Sequence, residues 1–487
     1  MIKLKRNDLL FLLVCLGLGL LAEQSFFHER IGVSYLVFIT GFYAVVLGRY
    51  RLAFHNRRIG LLLMVSIWVL AGTYAFYDNL LFRGLNMLLI PLMVFFHIVL
   101  ITSPDGTKWS KPAFVALLMD KFSRGINYSV RFSKISFRKV FKNMTDNTAQ
   151  VIKRIFIGMV IGLPLLFVIT GLLMSADSIF QDIVLKVPEF ILGLNFIEGV
   201  FRSILVLLIG LLFFGIFQVL HTHSKPKEDF SRLKEKPALN WDGITAVTIL
   251  ILLNSVYVLF AIVQFKYFFN EELLSGYTYA EYARRGFFEL IFVTLINWSI
   301  LISFLKLVRE GRKKLKVVLK VMYSLLVLVS GVMLTSAYQR LTLYETAYGF
   351  TLDRVLAHAF MIFLMVVFAY TFIRIWLEKL SIFHFYIIIG LIFYAGINAV
   401  GLEKIVVNNN LERYEETGKI DIYYLNHLSY TGLDGLMDLY EIDPDYPELK
   451  QILIDRKQSL DGMKNESWQS FNVMKQKVTN RLNELDL

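Results

Sequence analysis

The chain has 487 residues, of which 56% are apolar and only 18% charged, with 42 Phe and 24 Tyr. This composition excludes intrinsic disorder and a set of ordinary soluble domains, and the single Cys15, set in an apolar run, excludes a disulfide framework or a cysteine-bound zinc cluster. The formal charge of +12 is divided: residues 403–487 carry 10 basic and 16 acidic side chains, so the excess lies on the preceding part, where bilayer headgroups account for it without a nucleic-acid partner.

Apolar runs of membrane-crossing length follow one another along the chain: 9–22, 31–48, 59–77, 85–101, 155–174, 200–220, 244–265, 287–305, 317–337, 355–373 and 385–402. They lack the period-two alternation of barrel strands, so about 11 transmembrane helices are predicted. The first run is the shortest. It follows Lys3, Lys5 and Arg6, and its end at Leu20-Leu21-Ala22 supplies only one small residue where a cleavage site wants two, so it reads as an uncleaved signal anchor.

Of the 41 Lys and Arg before residue 403, sorting by alternating side puts 31 on one side and 8 in the loops of the other, with Arg202 and Lys320 at span ends and no reversal between consecutive loops. Basic residues stay cytoplasmic, so the amino terminus is expected inside and the carboxyl terminus outside. The basic loop 102–154 interleaves Arg124, Arg131, Lys134, Arg138, Lys139 and Lys142 with Phe122, Tyr128, Phe132, Phe137 and Phe141. That pattern predicts an amphipathic segment on the anionic inner leaflet, with docking of a cytoplasmic partner as the alternative.

After the membrane domain of residues 1–402, residues 403–487 read as a small helical extracytoplasmic tail. Gly418 stops one helix, Asp421 caps another, Asp443-Pro444 ends the helix 433–440, and Pro447 opens the next. Trp468, Phe471, Met474, Val478 and Leu482 form the stripe of a final helix. Asp443, Asp445 and Glu448 lack the alternation and turn glycine of a calcium loop, so they read as helix entry. The spans are expected to need none of the tail's contacts, so that a chain ending at Glu403 would insert intact.

Polar groups in or near spans are costly and mark candidate sites; here they are Asn254, Glu289, Asn297, His358 and Asn398. Two segments are richer. Glu281, Arg285 and Glu289 recur at helical spacing beside Arg284, and Arg340, Tyr344 and Tyr348 do the same ahead of Gly349, Thr351 and Arg354. Arginine's planar fork suits phosphate or carboxylate, so Glu281, Arg284, Arg285, Glu289, Arg340, Tyr344, Tyr348 and Arg354 form a candidate site for an anionic headgroup. The alternative is that they tie loops together and anchor tyrosines at the interface.

These segments also carry a resemblance. Tyr282-Ala283-Arg284-Arg285-Gly286-Phe287-Phe288-Glu289-Leu290, the Arg340 to Arg354 stretch, and the tail motifs Asn410-Leu411-Glu412-Arg413 and Gly418 to Ser429 are similar to the bacterial integral-membrane domain-of-unknown-function family four-one-seven-three, kin of four-one-five-three. The similarity covers roughly the last 240 residues. Where that family continues with an Asp-Ala pair and a proline, this chain has Tyr430-Thr431-Gly432. The resemblance implies a bacterial envelope protein and supplies no activity.

Nucleotide-binding, zinc-protease and serine-hydrolase motifs are missing from the sequence, and His221 and His223 lack a third ligand, so no metal or cofactor is expected. The leading functional expectation is a bacterial plasma-membrane protein acting as envelope sensor, scaffold or partner subunit, with an envelope protein as possible partner of the tail. The alternatives are a transporter of a small or lipid-like anion, and a lipid-modifying enzyme using Glu289 or Glu345 as acid or base.

Overall fold

A computed structural model describes residues 6–50, 55–140 except 105, 106 and 108, scattered positions from 151 to 180, and then 193–221, 241–269, 287–308, 313–461 and 467–487. Its eleven long helices are α1 (Arg6–Phe26), α2 (Val33–Tyr50), α3 (Arg57–Phe76), α4 (Leu80–Thr102), α5 (Pro112–Val140), α6 (Gly193–His221), α7 (Gly243–Phe269), α8 (Phe287–Leu307), α9 (Lys313–Tyr348), α10 (Leu352–Trp376) and α11 (Ile382–Ala399). Ten of these, all but α5, are long and apolar enough to cross a membrane, so the protein is an all-α polytopic chain. The expected span 155–174 lies largely outside the described residues. The first span is longer than its apolar run, at Asp8–Phe26, because Glu23 is accommodated by Arg202 of α6 at 3.6 Å.

Helices α1 to α6 form a first bundle. In lipid no hydrophobic force draws helices together, so close packing of small residues has to do so. A Cβ at Gly19 of α1 would fall 2.5 Å from the Val206 carbonyl of α6, and one at Gly215 of α6 would fall 2.4 Å from the Gly125 carbonyl of α5. Ser129 Oγ donates to the Leu211 carbonyl at 2.7 Å beside that contact. Phe11, Phe42, Phe214 and Phe217 fill the space between. Helix α5 is the amphipathic segment the basic loop predicts, yet one edge of it, Phe114 and Phe132, is buried in the bundle, while Val115, Met119, Phe122, Ile126 and Val130 remain exposed.

Helices α7 to α10 form a second bundle whose buried polar groups pair across helices. Asn297 donates to Ser330 Oγ at 3.0 Å, Ser336 Oγ to Gln264 Oε1 at 2.7 Å, and Asn254 to the Met322 carbonyl at 3.1 Å. At 36 residues, α9 is about 54 Å long, well beyond a hydrocarbon layer of about 30 Å. Helix α11 stands between the bundles against α3 and α10, and its one buried residue, Asn398, accepts from Asn86 of α4 at 2.8 Å.

Contacts sort the connections onto two faces as the alternation of spans requires. On one face His55 N–H donates to the Ile101 carbonyl at 3.0 Å, Trp109 packs on His384 at 4.4 Å, and Lys316 and Lys320 both reach Glu378, at 2.6 and 2.7 Å. On the other, Tyr77 donates to the Ala399 carbonyl at 3.0 Å, and the tail covers the ends of α2, α3, α4 and α10.

The tail consists of α12 (Leu402–Thr417), α13 (Ile422–His427), α14 (Tyr430–Ile442), α15 (Leu449–Asp461), a 3-10 turn Trp468–Ser470 and α16 (Val473–Glu484). Leu425, Leu436, Leu439, Leu449, Leu453 and Val478 give it a core of its own. Arg481 clasps Asp434, Asp438 and Glu441 of α14 at 2.9, 2.6 and 2.7 Å. Gly418 is left-handed at φ 65°, and Asp421 accepts from Tyr424 N–H at 2.8 Å, as those residue types predict. Tyr430-Thr431-Gly432 enters α14 behind the Ser429 cap, so tightly that a Cβ at Gly432 would lie 2.0 Å from the Leu425 carbonyl.

The final stripe breaks where one helix was expected. Asn472 caps α16 by accepting from Lys475 N–H at 3.0 Å, and its amide donates to the carbonyls of Tyr74 and Tyr77, both at 3.0 Å. Trp468 and Phe471 therefore precede the helix and stay exposed. A second tie to the first bundle is Glu403, buried at the start of α12. It accepts from Asn79 Nδ2 at 2.6 Å, from Ser429 Oγ, and from Thr431.

Candidate functional site

The turn between α9 and α10 is one of the places where membrane helices and tail are tied by hydrogen bonds among the described residues. Gly349 holds φ at +85°, a conformation L residues rarely adopt, which swings the chain from the end of α9 into Phe350 and Thr351. The tail then grips the turn through its backbone. Phe350 N–H donates to Asn410 Oδ1 at 3.0 Å and Asn410 Nδ2 returns a bond to the Phe350 carbonyl at 2.8 Å. Leu352 N–H, at the open start of α10, donates to the Tyr424 hydroxyl at 2.7 Å. Arg413 caps the end of α9, with Nε on the Thr346 carbonyl at 3.3 Å and Nη2 on that of Ala347 at 2.9 Å.

A Cβ at Gly349 would stand 2.8 Å from Asn410 Oδ1 and 3.4 Å from Arg413 Nη1, so space and conformation both oppose a side chain. Gly349→Ala is expected to cost about 1–3 kcal/mol and to speed protease cleavage of the tail. An alanine variant with wild-type melting and cleavage would show that the grip does not depend on this turn.

Between turn and tail lies a cavity of about 310 Å³, walled by Tyr348, Phe350, Arg354, Arg413, Lys419, Asp421 and Tyr424 among others. Three cations face one carboxylate, and Asp421 is already used as the cap of α13. Arg354 donates to the Gly349 carbonyl and stacks on Tyr344 at 4.3 Å, which fixes its plane and leaves further N–H groups for a ligand. Arg413 spends Nε, Nη1 and Nη2 on carbonyls and keeps two of its five donors. Lys419 is exposed and makes no ion pair among the described residues. Burial raises the Tyr424 phenol, against the bond from Leu352, so it stays un-ionised.

Of the residues the sequence singled out, Tyr348 and Arg354 line this cavity and Tyr344 supports it, 4.9 Å from the Tyr348 ring. Arg340 points to Gln264 at 3.2 Å, deeper in the bundle, rather than into the cavity. Glu289 lies exposed in the first turn of α8 and joins none of these groups among the described residues. Glu281, Arg284 and Arg285 lie outside the described residues. Glu345, weighed as an acid or base, is buried 3.6 Å from His358 Nδ1, and His358 stacks on Tyr338 at 4.3 Å.

The tail's half of the cavity, Arg413, Lys419 and Tyr424, did not enter the candidate set. The signal was present in the motifs Asn410 to Arg413 and Gly418 to Ser429, but nothing in the spacing says that a segment 60 residues downstream folds back onto the turn.

A family described as Domain of unknown function (DUF4153) matches residues 64–439, most of the chain and both halves of the junction. It is the relative named above beside four-one-seven-three, and its match begins well ahead of the last 240 residues. No curated protein and no solved structure matches the chain.

Proposed function

We propose, for a chain that belongs to the DUF4153 family, the role of a sensor or partner subunit in the bacterial envelope, reading an anionic group at the junction of tail and membrane helices. The tail motifs are the reason to group it near four-one-seven-three within that kinship. The basic connections among the described residues, at Asn56, Trp109 and Lys316, share one face and the tail covers the other, so the positive-inside rule supports a cytoplasmic amino terminus and an extracytoplasmic tail in the plasma membrane.

One observation carries the reading: the cavity exists only while the tail is docked, since Tyr348 and Arg354 come from the membrane helices and Arg413, Lys419 and Tyr424 from the tail. An anion bridging the two halves ties occupancy to docking, which is how binding becomes a signal to a partner. A volume of about 310 Å³ is at the small end of ligand sites and fits a phosphate- or carboxylate-bearing group.

Thermal unfolding of the purified protein with glycerol phosphate tests this. Ligand at a hundred times its Kd stabilises by about 2.7 kcal/mol. Lys419→Gln is expected to leave the ligand-free melting temperature unchanged, because Lys419 has no partner to lose, and to remove most of the gain. Wild-type protein indifferent to millimolar glycerol phosphate, inorganic phosphate and dicarboxylates would reject the proposal.

A further inference from the structure

A second open space lies on the first bundle. Leu36, Met64, Val65, Trp68, Val69, Gly72 and Phe76 line an apolar groove of about 580 Å³ that ends at Thr73, Tyr77 and Ala399. Thr73 and Tyr77 are also walls of a small, mostly apolar chamber of about 70 Å³ at the tail face, whose lining also carries the charged residues Arg83, Glu403 and Lys404. From Met64 to Tyr77 the groove follows α3 for 13 residues, about 20 Å, more than the roughly 15 Å depth of one leaflet in a 30 Å layer, so it has room for one extended acyl chain. Gly72 is buried by its neighbours, yet a Cβ there would meet nothing within 4 Å, so the helix is recessed under open space.

The chamber's charges are unequal in their commitments. Arg83 is paired with Asp78 at 2.6 Å and donates to the Ile31 carbonyl. Glu403 accepts from Asn79, Ser429 and Thr431. Lys404 is exposed and makes no ion pair among the described residues. The uncommitted charge of the chamber is therefore positive, and the chamber shares the walls Thr73 and Tyr77 with the apolar groove.

The geometry points to a binding site for one anionic phospholipid, its acyl chain along Gly72 and its phosphate at Lys404. The slot supplies area for the chain, and the cation distinguishes an anionic lipid from a zwitterionic one. The site is separate from the Arg354 cavity and does not depend on the role proposed for it.

Native mass spectrometry of the detergent-solubilised full chain, titrated with phosphatidylglycerol or phosphatidylcholine, tests the assignment. Wild type is expected to hold one phosphatidylglycerol more tightly than phosphatidylcholine. Gly72→Leu fills the recess and is expected to weaken both lipids about tenfold while melting like wild type. Lys404→Gln is expected to weaken phosphatidylglycerol alone, by about fivefold. Val65→Trp, at a position already facing outward, narrows the same slot and decides the matter if Gly72→Leu melts early. Wild-type binding by a folded slot-filling variant, or displacement of the lipid by chain-free glycerol phosphate at equal concentration, would overturn the inference.

Discussion

A chain ending at Glu403 is expected to unfold several kcal/mol more easily than the full protein, with its loss concentrated at the tail face. The sequence alone suggested spans indifferent to the tail, and the contacts correct that view. Truncation removes the Phe471 carbonyl that accepts from Val33 N–H at 3.0 Å, and the Asn472 amide that serves the Tyr74 and Tyr77 carbonyls. It also removes Asn410 from Phe350 and Tyr424 from Leu352 N–H. Stranding a buried polar group costs about 1–3 kcal/mol, and water reaching the exposed ends recovers only part. Unfolding of both forms in the same detergent, followed by tryptophan fluorescence, measures the difference. Equal midpoints would mean that the two units are merely tethered.

The second large effect belongs to Glu403. Burial raises its carboxyl above the ordinary range, and the Asp78 carboxylate adds to this, while bonds from Ser429, Asn79 and Thr431 pull it down. The folded protein thus keeps a proton that the unfolded chain has released, from the ordinary carboxyl value near 4.3 up to the raised one. More protons bound in the folded state means that stability falls as pH rises through that window, by up to about 1.4 kcal/mol per unit.

Glu403→Gln is expected to flatten this slope. Its carbonyl accepts from Asn79, whose own carbonyl is fixed by Phe82 N–H at 3.1 Å, and its amide donates to a Ser429 hydroxyl free to turn. Glu403→Leu is expected to cost about 2–5 kcal/mol at every pH, because Asn79 and Ser429 lose their acceptor. Melting temperatures of the three proteins from pH 4 to 8 separate these outcomes. A glutamine variant as pH-dependent as wild type would assign the slope to another group.

Hydropathy made the spans legible because a bilayer imposes a length and a composition on any helix that crosses it. Among the described residues, Asn56, Trp109 and Lys316, each in or beside a basic connection, make their contacts at one end of the helices. Local caps at Gly418 and Asp421 could be read because each acts within a few residues. What escaped were pairings over long separations: Asn410 with Phe350, Asn79 with Glu403, and Asn472 with Tyr74. Each is an asparagine or glutamate bonding to a backbone or amide far along the chain, and nothing in its own neighbourhood announces the partner. The stripe from Trp468 to Leu482 misled because its spacing fits one helix, whereas the Asn472 side chain starts the helix after Phe471 and sends its amide to α3. Half of the candidate anion cavity was visible in Tyr348 and Arg354, and the other half only after folding.

The length of α9 sets the depth at which each opening meets its surroundings. Lys316 and Lys320 fix its lower end beside Glu378, and a hydrocarbon layer of about 30 Å is crossed within about 20 residues, near Arg340. The remaining turns lift Tyr348 about 12 Å higher, out of the oil and into water. The Arg354 cavity is therefore held above the lipid layer, within reach of water-soluble molecules. The Gly72 groove opens sideways below that waterline, where only molecules already dissolved in the leaflet can reach it.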